Sequence, residues 1–230
     1  MFGSHERGRR VNSLISNNSR LIRFYGLMPI EVKQICNSVF TSCSYVISHR
    51  AGGGNAWIVD CGDVEPLVKA LKGKQPICVL LTHAHFDHIY GLNNLLRLFP
   101  DTLVYTNENG RDALLNEKRN LSYYHETPFV FEHPQQIRLV NDGDEIELIE
   151  NLNAKVISTP GHNPSCLTYI VGDAIFTGDS YIPGTKVITN LPKGNKKQAQ
   201  ESLDKIMQIL TKGFTVYPGH HIEENIAHRT

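Results

Sequence analysis

The chain has 230 residues, with 23 Lys and Arg against 23 Asp and Glu and a formal net charge of zero. That balance gives no electrostatic reason to expect nucleic acid or a membrane surface as partner, and no apolar run approaches the length needed to span a bilayer, so a small-molecule substrate is the expected partner. Five cysteines, an odd number, and no secretory-type apolar stretch predict a reducing, cytoplasmic setting.

Residues 1–25 carry Arg7, Arg9, Arg10, Arg20 and Arg23 with only Glu6 opposing them. They read as a basic, flexible segment with a weak transit-peptide flavour and are set apart from the fold. Residues 26–230 are predicted to form one domain, a length that suits a single core. Ala56-Trp57-Ile58-Val59 is an apolar strand ending at Asp60, and Val64 to Leu71 is a short helix. Ile77 to Leu81 is continuously apolar, the pattern of a strand buried on both faces. Ile89, Leu92, Leu95, Leu96 and Phe99 then recur at helical spacing. Leu103 to Tyr105 is a strand, and Glu108 to Leu115 a helix capped by Asn107.

Residues 117–135 are polar and aromatic without a clear period, and Tyr123 and Tyr124 there are candidate substrate contacts. Asn141 to Asp144 is a turn before a strand at Glu145 to Leu148. A further strand covers Val156 to Ser158. Leu167 to Val171 and Ala174 to Phe176, joined by Gly172-Asp173, form a hairpin. Ala199 to Leu210 is an amphipathic helix with Leu203, Ile206, Met207 and Leu210 on its core face. Of the cysteines, Cys61 and Cys78 fall in or beside apolar runs and are expected to be buried, and Cys166 is expected to pack.

The chemistry concentrates in residues 83–88, His-Ala-His-Phe-Asp-His. Three imidazoles and a carboxylate offer lone pairs to a borderline cation, and crowding them without one would strand polar groups. The run sits at a strand-to-helix turn, a rigid mount for a precise site. Three later strands also end in a ligand-type residue: His162 after Thr159-Pro160-Gly161, Asp179 after Thr177-Gly178, and His220 after Pro218-Gly219. If these strands lie side by side with their ends on one edge, the ligands converge there.

The ordered set Thr82-His83-x-His85-x-Asp87-His88, Gly161-His162, Gly178-Asp179 and Gly219-His220 resembles the metallo-β-lactamase superfamily over roughly residues 30–225. The resemblance implies an α/β fold, a four-layer αββα sandwich, with a two-metal site at the strand ends. It implies His83, His85 and His162 around one ion, Asp87, His88 and His220 around the other, and Asp179 bridging both. Asp60 matches an acidic position with a structural role. His221 adjoins His220, but the Pro-Gly-His pattern favours His220. A shell of five His and two Asp without thiolate suits two divalent ions, zinc first, with iron or manganese also compatible.

Retention of Asp179, where many true β-lactamases of this fold carry Cys, turns the comparison toward other branches. Thr189-Asn190-Leu191-Pro192-Lys193-Gly194 resembles a loop of short glyoxalase II-like hydrolases, with Asn190 in place of Asp and Ile188 where Arg is frequent. The chain runs ten residues beyond His220, where full-length glyoxalase II continues into a helical domain that helps hold glutathione. The expected activity is hydrolysis of small thioesters or related esters by a metal-bridging hydroxide formed from a water of lowered pKa, with Asp87, as catalytic residue, or a metal-bound water returning a proton to the leaving group. Alternatives on the same fold are a lactonase, a phosphodiesterase or a mononuclear iron persulfide dioxygenase. Tyr181, a further candidate substrate contact, lies two residues after Asp179, where lactonases of the superfamily place Tyr at three.

Overall fold

The computed structural model describes residues 30–50 and 52–221. The basic segment assigned to residues 1–25 lies outside the described residues. Two sheets face each other across a shared core. The first contains β1 (Ile30–Cys36), β2 (Cys43–His49), β3 (Asn55–Val59), β4 (Gln75–Leu80), β5 (Leu103–Thr106) and β6 (Ile137–Leu139), in that spatial order. The second contains β7 (Glu145–Ile149), β8 (Leu152–Ser158), β9 (Leu167–Val171), β10 (Ala174–Gly178) and β11 (Thr215–Pro218), again in chain order.

Strand alternation explains the near-continuous apolar runs. In β3, Trp57 and Val59 face the inter-sheet core, while Ala56 and Ile58 face the outer core under the helices. In β4, Cys78 and Leu80 face inward and Val79 faces out. Both faces are covered, so both sets must be apolar. The outer layer on the first sheet comprises α1 (Val64–Leu71), α2 (Phe86–Ile89), α3 (Leu92–Leu98) and α4 (Glu108–Leu114), which contribute Leu67, Leu71, Leu92, Leu95, Leu96 and Leu114. On the other side lies α5 (Lys196–Leu210), fastened to the second sheet where Ser202 Oγ donates to Pro160 O and Lys205 Nζ to Ser158 O. This is the expected four-layer αββα sandwich.

Three features differ from the sequence reading. The helical stretch after the ligand run is two helices, broken at Tyr90-Gly91, where Gly91 N–H leaves the helix to donate to Cys61 O. Helix α5 starts at Lys196, a turn before the apolar period begins, because Asn195 Oδ1 accepts from the N–H groups of Lys197 and Gln198. Its buried face runs through Ala199, Ser202 and Ile206, and Met207 points toward solvent. The hairpin at Gly172-Asp173, the Asn107 cap and helix α1 fall where the sequence puts them.

The topology builds one rim. Strands β3, β4, β5 and β6 are parallel, joined by helical crossovers, so their carboxyl ends share an edge. In the second sheet β9 is antiparallel to both β8 and β10, and β11 is parallel to β10. Strands β8, β10 and β11 therefore also point the same way. The ligand-bearing strands thus do not all lie side by side, the condition on which the sequence reading rested the convergence, although β10 and β11 are neighbours. Strand β4 belongs to the first sheet, β8, β10 and β11 to the second, and β9 separates β8 from β10.

Candidate metal centre

His83, His85, Asp87 and His88 follow β4, His162 follows β8, Asp179 follows β10 and His220 follows β11, and all seven side chains meet. Three overlapping donor groups result: His83, His85 and His162; His83, His88 and Asp179; Asp87, His88 and His220. Asp179 joins the outer two, since its Oδ2 lies 3.4 Å from His162 Nε2 and 3.3 Å from His220 Nε2. Asp87 Oδ2 is 3.3 Å from His88 Nε2 and 3.4 Å from His220 Nε2. His162 Nε2 is 2.9 Å from His85 Nδ1.

A second ring of contacts fixes which imidazole nitrogen faces the centre. His88 Nδ1 is 2.9 Å from Asp60 Oδ2, His162 Nδ1 is 2.8 Å from Ile188 O and His220 Nδ1 is 2.9 Å from Phe40 O. Each acceptor engages Nδ1 and leaves Nε2 facing the centre. His85 is turned the other way: Asn163 Nδ2 sits 2.8 Å from its Nε2, so Nδ1 faces the centre. Thr82 Oγ1 donates to Asp60 Oδ2 at 2.6 Å and lies 3.2 Å from His83 Nδ1. One buried carboxylate thereby orients both His83 and His88. Asp60 itself adopts φ 54°, a left-handed conformation that Asp tolerates better than most residues.

The Gly that precedes each later ligand has a packing reason. Gly178 has φ 50°, and a Cβ there would stand 2.5 Å from Thr82 Oγ1. A Cβ on Gly219 would overlap Asp179 Oδ1. Sheet ends approach so closely here that only a hydrogen fits.

Electrostatics divide the donors. Burial drives the His83 imidazole well below its ordinary range and takes His85 down to about 3, so both are neutral. Burial also disfavours charge on His88, but Asp87, Asp179 and Asp60 outweigh it and raise that imidazole well above normal. At His220 burial is again outweighed, mainly by Asp179. Burial would raise the Asp179 carboxyl, yet His220, His88 and His83 hold it well below the usual range. Asp87 is likewise kept low, with His88 and His220 overcoming its burial.

The arrangement fits cations. His83 Nε2, His88 Nε2 and Asp179 Oδ1 are buried without a hydrogen-bond partner among the described residues, and these are atoms that face the centre. Orphaned buried polar atoms are costly and rare. The carboxylate-to-imidazole separations across the centre run from 3.3 to 3.6 Å. Around a tetrahedral zinc with bonds of about 2.0–2.1 Å, neighbouring donors sit about 3.4 Å apart.

The tyrosines behave differently. Tyr123 and Tyr124 are exposed on a short 3-10 turn at 122–124; they pack against each other, and Lys118 lies 5.4 Å over the Tyr123 ring. The next residue, His125, is the one that reaches the ligand segment, with its ring 4.2 Å from Phe86 and 5.8 Å from Phe40. Tyr181 is half-buried and lines a cavity of about 160 Å³ with Thr185, Lys186, Val187 and Leu203. Sequence reasoning missed Phe40, Asn163 and Ile188 O as anchors. Two act through main-chain carbonyls, which carry no residue-type signal; Asn163, beside His162, was the one that could have been found. His221 is exposed and uses its N–H on Thr41 O, consistent with His220 as the inward imidazole. Cys166 is buried and its thiol is pushed up to about 12 by that burial, as expected for packing.

A family model described as the metallo-beta-lactamase superfamily matches residues 38–220. The chain is similar to the hydroxyacylglutathione hydrolase of Erwinia tasmaniensis, at 30% identity over 168 residues that are 72% of this chain and 57% of that protein. Among solved structures it resembles the B3 metallo-beta-lactamase BLEG-1, with TM-score 0.74 and 27% identity over 84% of this chain and 92% of that one. It also resembles ETHE1 from Myxococcus xanthus, with TM-score 0.66 and 25% identity over 84% and 77% of the two chains. The chain spans about half the length of the curated relatives it matches. With a match across most of its length, the chain belongs to the metallo-beta-lactamase superfamily.

Proposed function

We propose that the protein is a dinuclear metal-dependent hydrolase of small thioesters or related esters, similar to glyoxalase II. The observation that carries the reading is Asp179, whose Oδ2 lies within 3.4 Å of imidazoles from both outer donor groups, an arrangement made for two cations rather than one. The similarity to hydroxyacylglutathione hydrolases and the Thr189–Gly194 loop support this substrate class.

His83, His85 and His162 would hold one ion, Asp87, His88 and His220 the other, and Asp179 both; zinc suits this nitrogen and oxygen shell, with iron or manganese the alternatives. Divalent ions bound there supply a water of lowered pKa and a Lewis acid for the acyl oxygen. The chain's own residues do the rest. Asp60, Ile188 O and Phe40 O hold the imidazoles in place before substrate arrives, so little reorganisation is needed on reaction. Asp87, whose carboxyl His88 and His220 hold below its usual range, would take the proton that the attacking water gives up and pass it to the leaving thiolate or alkoxide. Tyr181, and more remotely Tyr123 and Tyr124, would contact the substrate beyond the acyl carbon. Ile188, exposed and standing where Arg is frequent in the resembled loop, would offer substrate an apolar rather than a charged contact.

The test is hydrolysis of S-lactoylglutathione, simple acyl thioesters, a lactone and a bis-aryl phosphate by zinc-loaded protein. The reading requires thioester turnover that chelation removes and zinc restores. Preference for the lactone or phosphate would replace it with the alternative on the same fold, and oxygen consumption by an iron-loaded form acting on a persulfide would replace hydrolysis altogether.

A further inference from the structure

Cys36 and Cys43 are direct partners across the antiparallel β1–β2 ladder. Opposed residues on such a ladder project to the same face. The Cys43 N–H turns away from β1 and donates to Gly219 O at 2.7 Å, while the next pair outward is bonded, Asn37 N–H to Ser42 O at 2.8 Å. The cysteines therefore occupy a non-hydrogen-bonded site, where facing Cα atoms are about 4.5 Å apart and side chains come closest. A disulfide needs a Cα separation of about 4.4–6.8 Å, and pairs in this register fall within that range. Cys36 is exposed on an edge strand, and Cys43 is fully buried beneath it. One thiol can meet a solution oxidant and the other stands ready to resolve it.

The hairpin they close is the one that clamps a proposed ligand. Besides the Cys43–Gly219 bond, Phe40 O accepts from His220 Nδ1, Ser42 bridges His220, and His221 N–H donates to Thr41 O. From this geometry we infer that Cys36 and Cys43 form a reversible disulfide that staples the hairpin holding His220. Cys36 thiolate attacks a sulfur of a small-molecule disulfide such as oxidised glutathione, breaking its S–S bond and releasing one glutathione. Cys43 thiolate then attacks Cys36 Sγ and expels the second. The two cysteines lose two electrons, the reagent gains them, and the two thiol protons end on the released glutathiones. This inference is independent of which substrate the metal centre serves.

The experiment exposes the full zinc-loaded chain to a series of oxidised-to-reduced glutathione ratios, blocks free thiols, and maps the tryptic peptide Gln34–Arg50, which contains both cysteines. The expected product is that peptide lighter by two hydrogens and unblocked, reversed by dithiothreitol and absent in Cys36→Ser. In the oxidised protein the Cys43 and His221 amides should exchange at least about tenfold more slowly, because the staple opposes opening of the hairpin. A stable glutathione adduct on Cys36, or both thiols remaining free at every ratio, would overturn the disulfide. A disulfide that forms without slowing those two amides would overturn its hold on His220.

Discussion

Asp60 Oδ2 accepts from His88 Nδ1 at 2.9 Å and from Thr82 Oγ1 at 2.6 Å, and through Thr82 the same carboxylate reaches His83. Asp60 is not a donor to the centre, yet it orients one imidazole from each side of it. Asp60→Ala would leave His88 Nδ1 and the Thr82 N–H unpaired in the interior. The expected cost is about 3 kcal/mol or more of stability, with metal affinity falling roughly 10–100-fold. Denaturant unfolding of the metal-free protein and a competitive zinc titration measure the two effects separately. Unchanged zinc affinity in a folded Asp60→Ala protein would show that the imidazoles need no such support.

The glycines before the ligands make a steric prediction. Gly178→Ala adds a Cβ 2.5 Å from Thr82 Oγ1 at a residue with φ 50°, so strain and overlap add. A loss of about 2–3 kcal/mol is expected. Gly219→Ala presses on Asp179 Oδ1 and also stands 2.8 Å from the backbone carbon of Gly178, so it should weaken metal binding as well as lower stability. Unchanged zinc affinity in a folded Gly219→Ala protein would contradict the contact with Asp179.

The converging side chains were legible in the sequence because each group of them begins after a strand-ending Thr or Gly, and that signal survives without coordinates. Strands such as β3 and β4, buried on both faces, announce themselves as apolar runs. What stayed hidden has a physical reason. That β4 and β8 belong to different sheets cannot be read from runs that look alike. Phe40 O and Ile188 O anchor imidazoles through the backbone, which is the same in every residue. The start of α5 at Lys196 depends on the Asn195 cap, where the apolar period had not begun. The packing of His125 on Phe86, beside the exposed Tyr123 and Tyr124, depends on the path of a segment without periodicity.

Sharing of Asp179 predicts unequal losses among the ligands. Asp179→Ala withdraws an oxygen from both outer donor groups, whereas His220→Ala withdraws one nitrogen from the group with Asp87 and His88. Zinc counted by atomic emission after gel filtration should fall from two per chain to about one in His220→Ala and below one in Asp179→Ala. Equal stoichiometry in the two variants would show that the two groups do not share a bridging carboxylate.

Away from the centre, Asp63 gives a pH signature. Its Oδ1 accepts from Tyr90 Oη at 2.6 Å and from Ser38 Oγ at 2.9 Å, and its Oδ2 from Ser38 N–H at 2.8 Å, tying the turn after β1 to the start of α1 and the end of α2. Partial burial favours the neutral acid, but these three donors prevail and hold the carboxyl below its ordinary value. A carboxyl depressed in the folded state binds fewer protons folded than unfolded. Its contribution is therefore complete above the unfolded carboxylate range near pH 4 and is lost as pH falls through the lower folded value. Tyr90→Phe removes one donor to that charge, so it should cost about 1–2 kcal/mol at pH 7, and the gap to the parent protein should close progressively below pH 4. Urea midpoints of the two proteins across that range make the comparison. A gap that stayed constant down to pH 2 would mean that Tyr90 acts through packing and not through its hydrogen bond to the carboxylate.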